Sequence, residues 1–314
     1  MANMFFRWAL GFAMLSNLSA QTQNATGQDV VPVYEGWERN TDGSFNMVFG
    51  YMNRNYEEQM DIPIGPDNNI SPGNPDQGQP THFYRRRQQF IFKVKVAKDW
   101  GKKDLVWTLI SRDKTEKAYG TLMPIWELGN LVCQENRGGP GILTWPEEPN
   151  QAPSVEMVGS SQTTVTLSET LTLTVQVADD GHPLPRPRRA GSGNVVRDSD
   201  GGVIVSGGAA GRDTVAPVVE NPLTQMVVKL DPGVRLGVTW VLYRGPAPVT
   251  FDPMRVPVVK VPPAGTAAKV EPLEGKATTK VTFSEPGKYR LRAYADDGVL
   301  ATPLDVNVTV LAPR

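Results

Sequence analysis

Hydrophobic and polar positions alternate with period two along most of this chain, as strands with one buried face require. Phe45, Met47, Phe49 and Tyr51 share one strand face. Phe90, Phe92, Val94 and Val96 share another, with Ile91, Lys93 and Lys95 opposite, and Leu105, Trp107 and Leu109 mark a third strand. The last third repeats the pattern in Leu171, Leu173, Val175 and Val177, and again in Val238, Trp240 and Leu242. It continues in Tyr289, Leu291 and Ala293, with Lys288, Arg290 and Arg292 outward, and ends in Leu304, Val306, Val308 and Val310. Thr41-Asp42-Gly43-Ser44 reads as a turn, because Gly43 takes a positive φ at little cost. The fold class this predicts is all-β, with two β-sandwich modules.

The boundaries fall where the alternation stops. Residues 1–20 read as a secretory signal: Arg7, an apolar core from Trp8 to Leu15, then Ser19 and Ala20, with cleavage expected after Ala20. That core is too short to span a bilayer, and no later stretch is apolar enough for a transmembrane helix. The first module covers residues 30–131. Inside it, residues 60–83 are rich in proline and glycine and predict a long polar loop, serving either binding or the covering of a sheet edge. Residues 132–153 form a Pro/Gly-rich linker. The second module covers 154–312, interrupted at 186–226 by a glycine-rich, charged excursion predicted to be flexible and outside the core.

Charge and cysteine content narrow the partners. A net charge of −1 gives no strong field toward nucleic acid or an anionic membrane. Cys133 is the sole cysteine, which excludes an intramolecular disulfide framework. An exported chain without disulfides fits a bacterial envelope (periplasm or cell surface) or the extracellular space.

Three segments carry a resemblance: TLTLTVQVADDGHPLP (170–185), VTWVLYRGPAPVTF (238–251), and TTKVTFSEPGKYRLRAYADDGVL with DVNVTV (278–310). Together they resemble the polycystic-kidney-disease-type (PKD) and related Ig-like repeats of secreted and surface proteins. The resemblance implies a strand ending in Asp-Asp-Gly, a Trp240 plug between two sheets, and a corner at which the Tyr289 hydroxyl bonds to backbone. The long 186–226 excursion departs from that family. The first module, read as Ig- or fibronectin-like, resembles a group of secreted bacterial proteins without an assigned activity, through YEGWERNTDGSFNMVFGYMNRN (34–55), DIPIGPDNN (61–69), DQGQPTHFYRRR (76–87) and LVWTL (105–109).

Candidate chemistry is sparse. The histidines are His82 and His182, with no nucleophile-elbow motif beside either, and Cys133 has no neighbouring histidine. The sequence therefore predicts no catalytic residue, with a hydrolase built on His82 as an outlying alternative. Asp179-Asp180-Gly181 and Asp296-Asp297-Gly298 repeat one string, which fits either turn formation or a calcium site from Asp179, Asp180, Asp296 and Asp297. Asp198 and Asp200 have a weaker calcium-loop pattern. No other cofactor is implied. His82, Tyr84, Arg85 and Arg87, with Trp37, are the ligand-binding candidates, since arginines beside the long loop suit carboxylates or acidic glycans. Arg86 points away from its neighbours in a strand. Trp37, Tyr56 and Tyr84 on one flat face would instead mark a carbohydrate-binding accessory module; Trp37, Tyr51 and Trp126 also read as core. The expected function is non-covalent recognition or adhesion, with an envelope protein, an extracellular polymer or a second copy as partner.

Overall fold

The computed structural model describes residues 24–129, 132, 133, 136, 150–184, 195–197, 203–205, 230, 233–263 and 269–313. The expected leader, most of the linker, and Asp198 and Asp200 lie outside the described residues. Among those described, no helix is long and apolar enough to cross a membrane.

The chain is all-β, with two sandwich modules. In the first, β1 (Val30–Arg39), β2 (Phe45–Asn53) and β6 (Arg86–Val96) make one antiparallel sheet in the order β1-β2-β6. β4 (Asn68–Ser71), β7 (Leu105–Ser111) and β8 (Lys114–Gly120) make another, ordered β4-β7-β8, and β3 (Met60–Asp61) pairs with β5 (His82–Phe83). Met47, Phe49, Tyr51 and Phe92 of the first sheet pack with Ile70, Leu105, Trp107 and Leu109 of the second in one buried cluster. The Phe92 and Trp107 rings meet edge to face at 4.9 Å, and Phe49 stacks on Phe92 at 5.4 Å. Each such buried ring contributes roughly 1.5–3 kcal/mol of apolar burial before entropy is counted.

The stretch predicted as one long loop carries β3, β4 and β5, and β4 pairs with β7. Its prolines lack N–H groups, so its carbonyls need donors from elsewhere. The fully buried Asn68 supplies them: its Nδ2 donates to the Ile62 and Pro80 carbonyls at 2.9 and 2.8 Å, and its Oδ1 accepts the Trp107 indole N–H at 3.0 Å.

One expected alternation fails. Phe90 does not follow Phe92 into the core, because β6 bulges: Gln89, Phe90 and Ile91 all stand opposite the single residue Gly50. Phe90 sits at φ +53°, and Ile91 is buried instead. Gly50 permits the crossing. A Cβ there would meet Glu35 Oε1 at 2.1 Å and the Gln88 carbonyl at 2.4 Å. Both Glu35 carboxylate oxygens accept from Arg87 Nη2 at 2.7 Å in that space.

In the second module, β10 (Gln162–Thr166), β14 (Val234–Arg244), β16 (Arg255–Lys260), β18 (Gly287–Asp296) and β19 (Ala301–Leu311) form a sheet ordered β10-β19-β18-β14-β16. β9 (Ser154–Met157), β11 (Leu171–Asp179), β15 (Val249–Asp252) and β17 (Leu273–Phe283) form the other, ordered β15-β17-β11-β9. β10 runs parallel to β19, while the other pairs are antiparallel. Leu173, Val175, Val177, Trp240, Leu291, Val306 and Val308 meet in one core. Trp240 is fully buried, and Tyr289 Oη donates to the Glu285 carbonyl at 2.7 Å, the corner bond of immunoglobulin-type sandwiches. Within the excursion, β12 (Val195–Arg197) and β13 (Val203–Val205) pair antiparallel.

Candidate functional site at the junction of the modules

β14 is buried along almost its whole length, because its two faces have different partners. Leu236, Val238, Trp240 and Leu242 face their own sandwich. Tyr243 belongs to the core of the first module, and Val241 packs with Tyr294, Tyr84, Met254 and Ala301 in a small cluster between modules. A bulge at Tyr243, which has no partner between Leu242 and Arg244 in the β14–β18 register, turns backbone groups toward the first module. The Leu242 N–H donates to Tyr84 Oη at 2.8 Å, and the Tyr243 carbonyl accepts the Thr81 N–H at 3.1 Å. Tyr243 Oη donates to the Gly78 carbonyl at 2.5 Å. Arg244 donates through Nε to the Gln79 carbonyl and through both terminal nitrogens to Asp76, at 2.8 to 2.9 Å. That guanidinium holds the Asp76 carboxyl below its ordinary pKa.

The β6 bulge answers from the other side. It takes the Ile91 carbonyl out of the ladder, where it accepts Arg292 Nη1 at 2.7 Å. Arg292 lies over the Tyr243 ring at 3.6 Å and grips Asp305 with Nε and Nη2 at 2.5 and 3.0 Å. A buried guanidinium needs this saturation, since an unmatched charge away from water is costly.

Beside these contacts the modules leave a cleft of about 500 Å³. Gln89, Phe90 and Lys93 of β6 form one wall, and Arg290, Arg292 and Asp305 of β18 and β19 form the other. Glu38 of β1 also reaches it, and Cys133 and Ala152 line its linker side. Its volume is that of a small-ligand pocket, and a junction between domains is a common place for one. Lys93 Nζ donates to both Glu38 oxygens at 2.6 and 2.9 Å, whereas Arg290 approaches Asp305 only to 4.0 Å. The Gln89 Oε1 is buried with no hydrogen-bond partner among the described residues.

The residues singled out in the sequence are dispersed. Trp37 is core, its indole N–H donating to the Met123 carbonyl at 2.9 Å. Arg86 covers the Tyr56 ring at 3.8 Å, and Tyr84 is spent on Leu242. The three aromatics therefore present no common flat face, contrary to the carbohydrate-module expectation. Tyr51 is core, but Trp126 is 45% exposed in a 3-10 turn, Pro124–Trp126, and not in a core strand. Arg85 is exposed, while Arg87 is held by Glu35, whose pKa burial raises. His82 does meet a carboxylate: Nδ1 lies 2.8 Å from Asp61 Oδ1 and Nε2 lies 2.8 Å from Gln59 Oε1. Both ring nitrogens are thus occupied, and serving as a base would first require breaking one of those bonds.

The two Asp-Asp-Gly turns are built from their own carboxylates. Asp179 and Asp180 accept the Gly181 and His182 N–H groups at 2.9 and 2.8 Å. Asp296 accepts from Gly298 at 2.6 Å, and Asp297 Oδ1 accepts from Val299 and Leu300 at 2.7 Å. The second oxygens catch the incoming linker: Gln151 N–H donates to Asp180 and Asn150 Nδ2 to Asp297, both at 3.0 Å. Burial pushes Asp179 up to about 6 and Asp297 up to about 7. Among the described residues no group of three or more His, Cys, Asp or Glu side chains comes together to hold a metal ion.

The junction residues Tyr243, Arg244 and Arg292 were not singled out from the sequence. For Tyr243 and Arg244 the one signal is the nearly unbroken apolar run GVTWVLY, which marks a strand buried on both faces, whereas Arg292 read as an outward strand residue.

No protein-family model matches the chain, and no curated protein sequence matches it. Among solved structures, the D00-D0 domain of intimin covers 90% of this chain and 100% of its own, at 9% identity and a TM-score of 0.22. The fibronectin(III)-like modules of Clostridium thermocellum CbhA cover 90% of this chain and 95% of their own, at 12% identity and 0.19. The titin domains z1z2 in complex with telethonin cover 92% and 100%, at 8% identity and 0.20. At such TM-scores the likeness carries no argument, and the sandwich assignment rests on the chain's own strand order and core.

Proposed function

We propose that this is an exported, non-enzymatic recognition protein of the bacterial envelope or extracellular space, which holds an envelope protein or an extracellular polymer non-covalently in the cleft between its modules. The observation that carries this reading is the cleft, a mixed polar and apolar concavity with a buried acceptor that has no partner among the described residues. The signal-like leader supports export, and the occupied ring nitrogens of His82 weigh against a hydrolase. With Trp37, Tyr84 and Arg87 held internally, the cleft takes the place of the 60–87 segment as the candidate surface.

Cys133 gives a direct test, since it lines the cleft and is the chain's sole cysteine. The full chain, alkylated there with a bulky maleimide or left unmodified, is passed over immobilised extracellular polysaccharides and envelope extract. The unmodified protein is expected to be retained and the alkylated protein released. Equal behaviour of the two forms, retained or not, removes the cleft from the binding reading.

A further inference from the structure

The charges lining the cleft are unevenly matched. Among the described residues, Lys93, Arg290 and Arg292 share the lining with two carboxylates, those of Glu38 and Asp305. Asp76, which lies within electrostatic reach of Arg290, is already held by both terminal nitrogens of Arg244. Glu38 is taken by Lys93, and Asp305 is gripped at both oxygens by Arg292. Arg290 is left with a 4.0 Å approach to an oxygen that already has a closer donor, and its side chain is 34% exposed. A guanidinium in that position has a planar fork of N–H groups to offer, and a carboxylate is the group whose geometry matches it.

The opposite wall is complementary in kind. Gln89 and Phe90 are both bulge residues, and the bulge is what places them along the cleft. Phe90 is held there at φ +53°, an unfavourable conformation for a large side chain that surrounding structure must enforce. The Gln89 Oε1 lacks a donor among the described residues. A ligand hydroxyl or amide N–H would satisfy it, and an apolar ligand face could lie against the Phe90 ring.

We propose that the cleft takes a small carboxylate-bearing ligand, with Arg290 anchoring the carboxylate and Gln89 accepting a hydrogen bond from a neighbouring hydroxyl or amide. This rests on the reading of the cleft as the recognition site. Sugar acids and acidic peptides share the chemistry.

The test uses the full chain and four probes: digalacturonate and an end-blocked Glu-Glu dipeptide, each beside its neutral counterpart, digalactose and end-blocked Gln-Gln. Calorimetry gives affinity, and the rate of Cys133 alkylation reports occupancy of the cleft. At least one acid is expected to bind tenfold or more tighter than its neutral counterpart and to slow alkylation; which acid does so identifies the source. Arg290→Gln and Gln89→Leu are each expected to weaken that binding about tenfold, the size expected for one lost hydrogen bond to charge or from a buried acceptor. Lys288→Gln, on the same strand but outside the lining, should leave it unchanged. Among the described residues neither the Arg290 nor the Gln89 side chain makes a hydrogen bond between the modules, and matching thermal unfolding curves will check that both variants fold. Equal binding of acid and neutral probes, no protection of Cys133, or wild-type affinity in Arg290→Gln each overturns the carboxylate assignment. The cleft reading would survive any of these if maleimide still abolished polymer retention, so the two fail separately.

Discussion

Asp297 shows how one side chain serves a turn at a cost in charge. Its carboxylate closes the turn after β18 and holds the linker through Asn150, yet burial raises its pKa from 3.8 to about 7. The sign of the pH effect follows from linkage. The folded state binds a proton that the unfolded state has lost, so the stabilising difference is complete below pH 4 and fades as pH rises through 7. Asp179, raised to about 6, acts in the same direction. Stability should therefore fall between pH 5 and pH 8 by an amount on the order of 2–4 kcal/mol. Asp297→Asn, which keeps an acceptor for Val299 and Leu300 while Asn150 flips its amide, should flatten much of that slope. Urea denaturation at four pH values will check it; a wild-type slope in the variant would refute the assignment. The Asp-Asp-Gly string was legible as turn chemistry from sequence, because Asp bonds to backbone two residues ahead. Its burial was not, since burial depends on the linker lying across it.

Among the elements, hairpins and bulges decide which way side chains point. Ser111 pairs with Lys114 across a two-residue turn in which Arg112 and Asp113 have φ of +52° and +60°. Both central residues of such a turn need positive φ, which favours glycine at the second position. Asp113→Gly should relieve that strain and stabilise the protein by about 0.5–1 kcal/mol, read as a higher urea midpoint with an unchanged m-value. A lower midpoint would show that Asp113 gives the turn more than its backbone conformation costs. Period-two patterning identified the inward faces of β2, β7, β11 and β19 correctly, although in β2 Val48 on the opposite face is buried as well. It misassigned Phe90, because the bulge lifts residues 89–91 out of the ladder while Gln88 and Phe92 on either side keep their inward face, and hydrophobicity alone leaves no mark of that. Nor did the pattern foresee β4, whose pairing to β7 depends on Asn68 serving the carbonyls around it.

For the whole molecule, the junction is the main structural fact. The Pro/Gly-rich segment after β4 docks against β14 through Asp76, Gly78, Gln79 and Thr81, and Arg292 returns the contact to β6. Tyr243 is central: buried in the first module's core, covered by Arg292, and bonded to Gly78. Removing it in Tyr243→Ala should cost roughly 3–5 kcal/mol, as for other buried aromatics. Scanning calorimetry should then show one cooperative transition for the wild type and two for the variant. A single transition at the wild-type temperature would mean that the modules unfold independently of this contact.

By itself the sequence determined the all-β class and, Phe90 apart, the inward residues singled out for both cores, because these depend on local periodicity, while the tyrosine corner came from the resemblance to Ig-like repeats. Only the tertiary structure decided that the long segment and its neighbours would be consumed between modules, and that a cleft would open beside them. Those outcomes depend on which outer face of one sandwich meets which of the other. Arg292 and Tyr243 read as ordinary strand residues until the partner surface that buries them is in place.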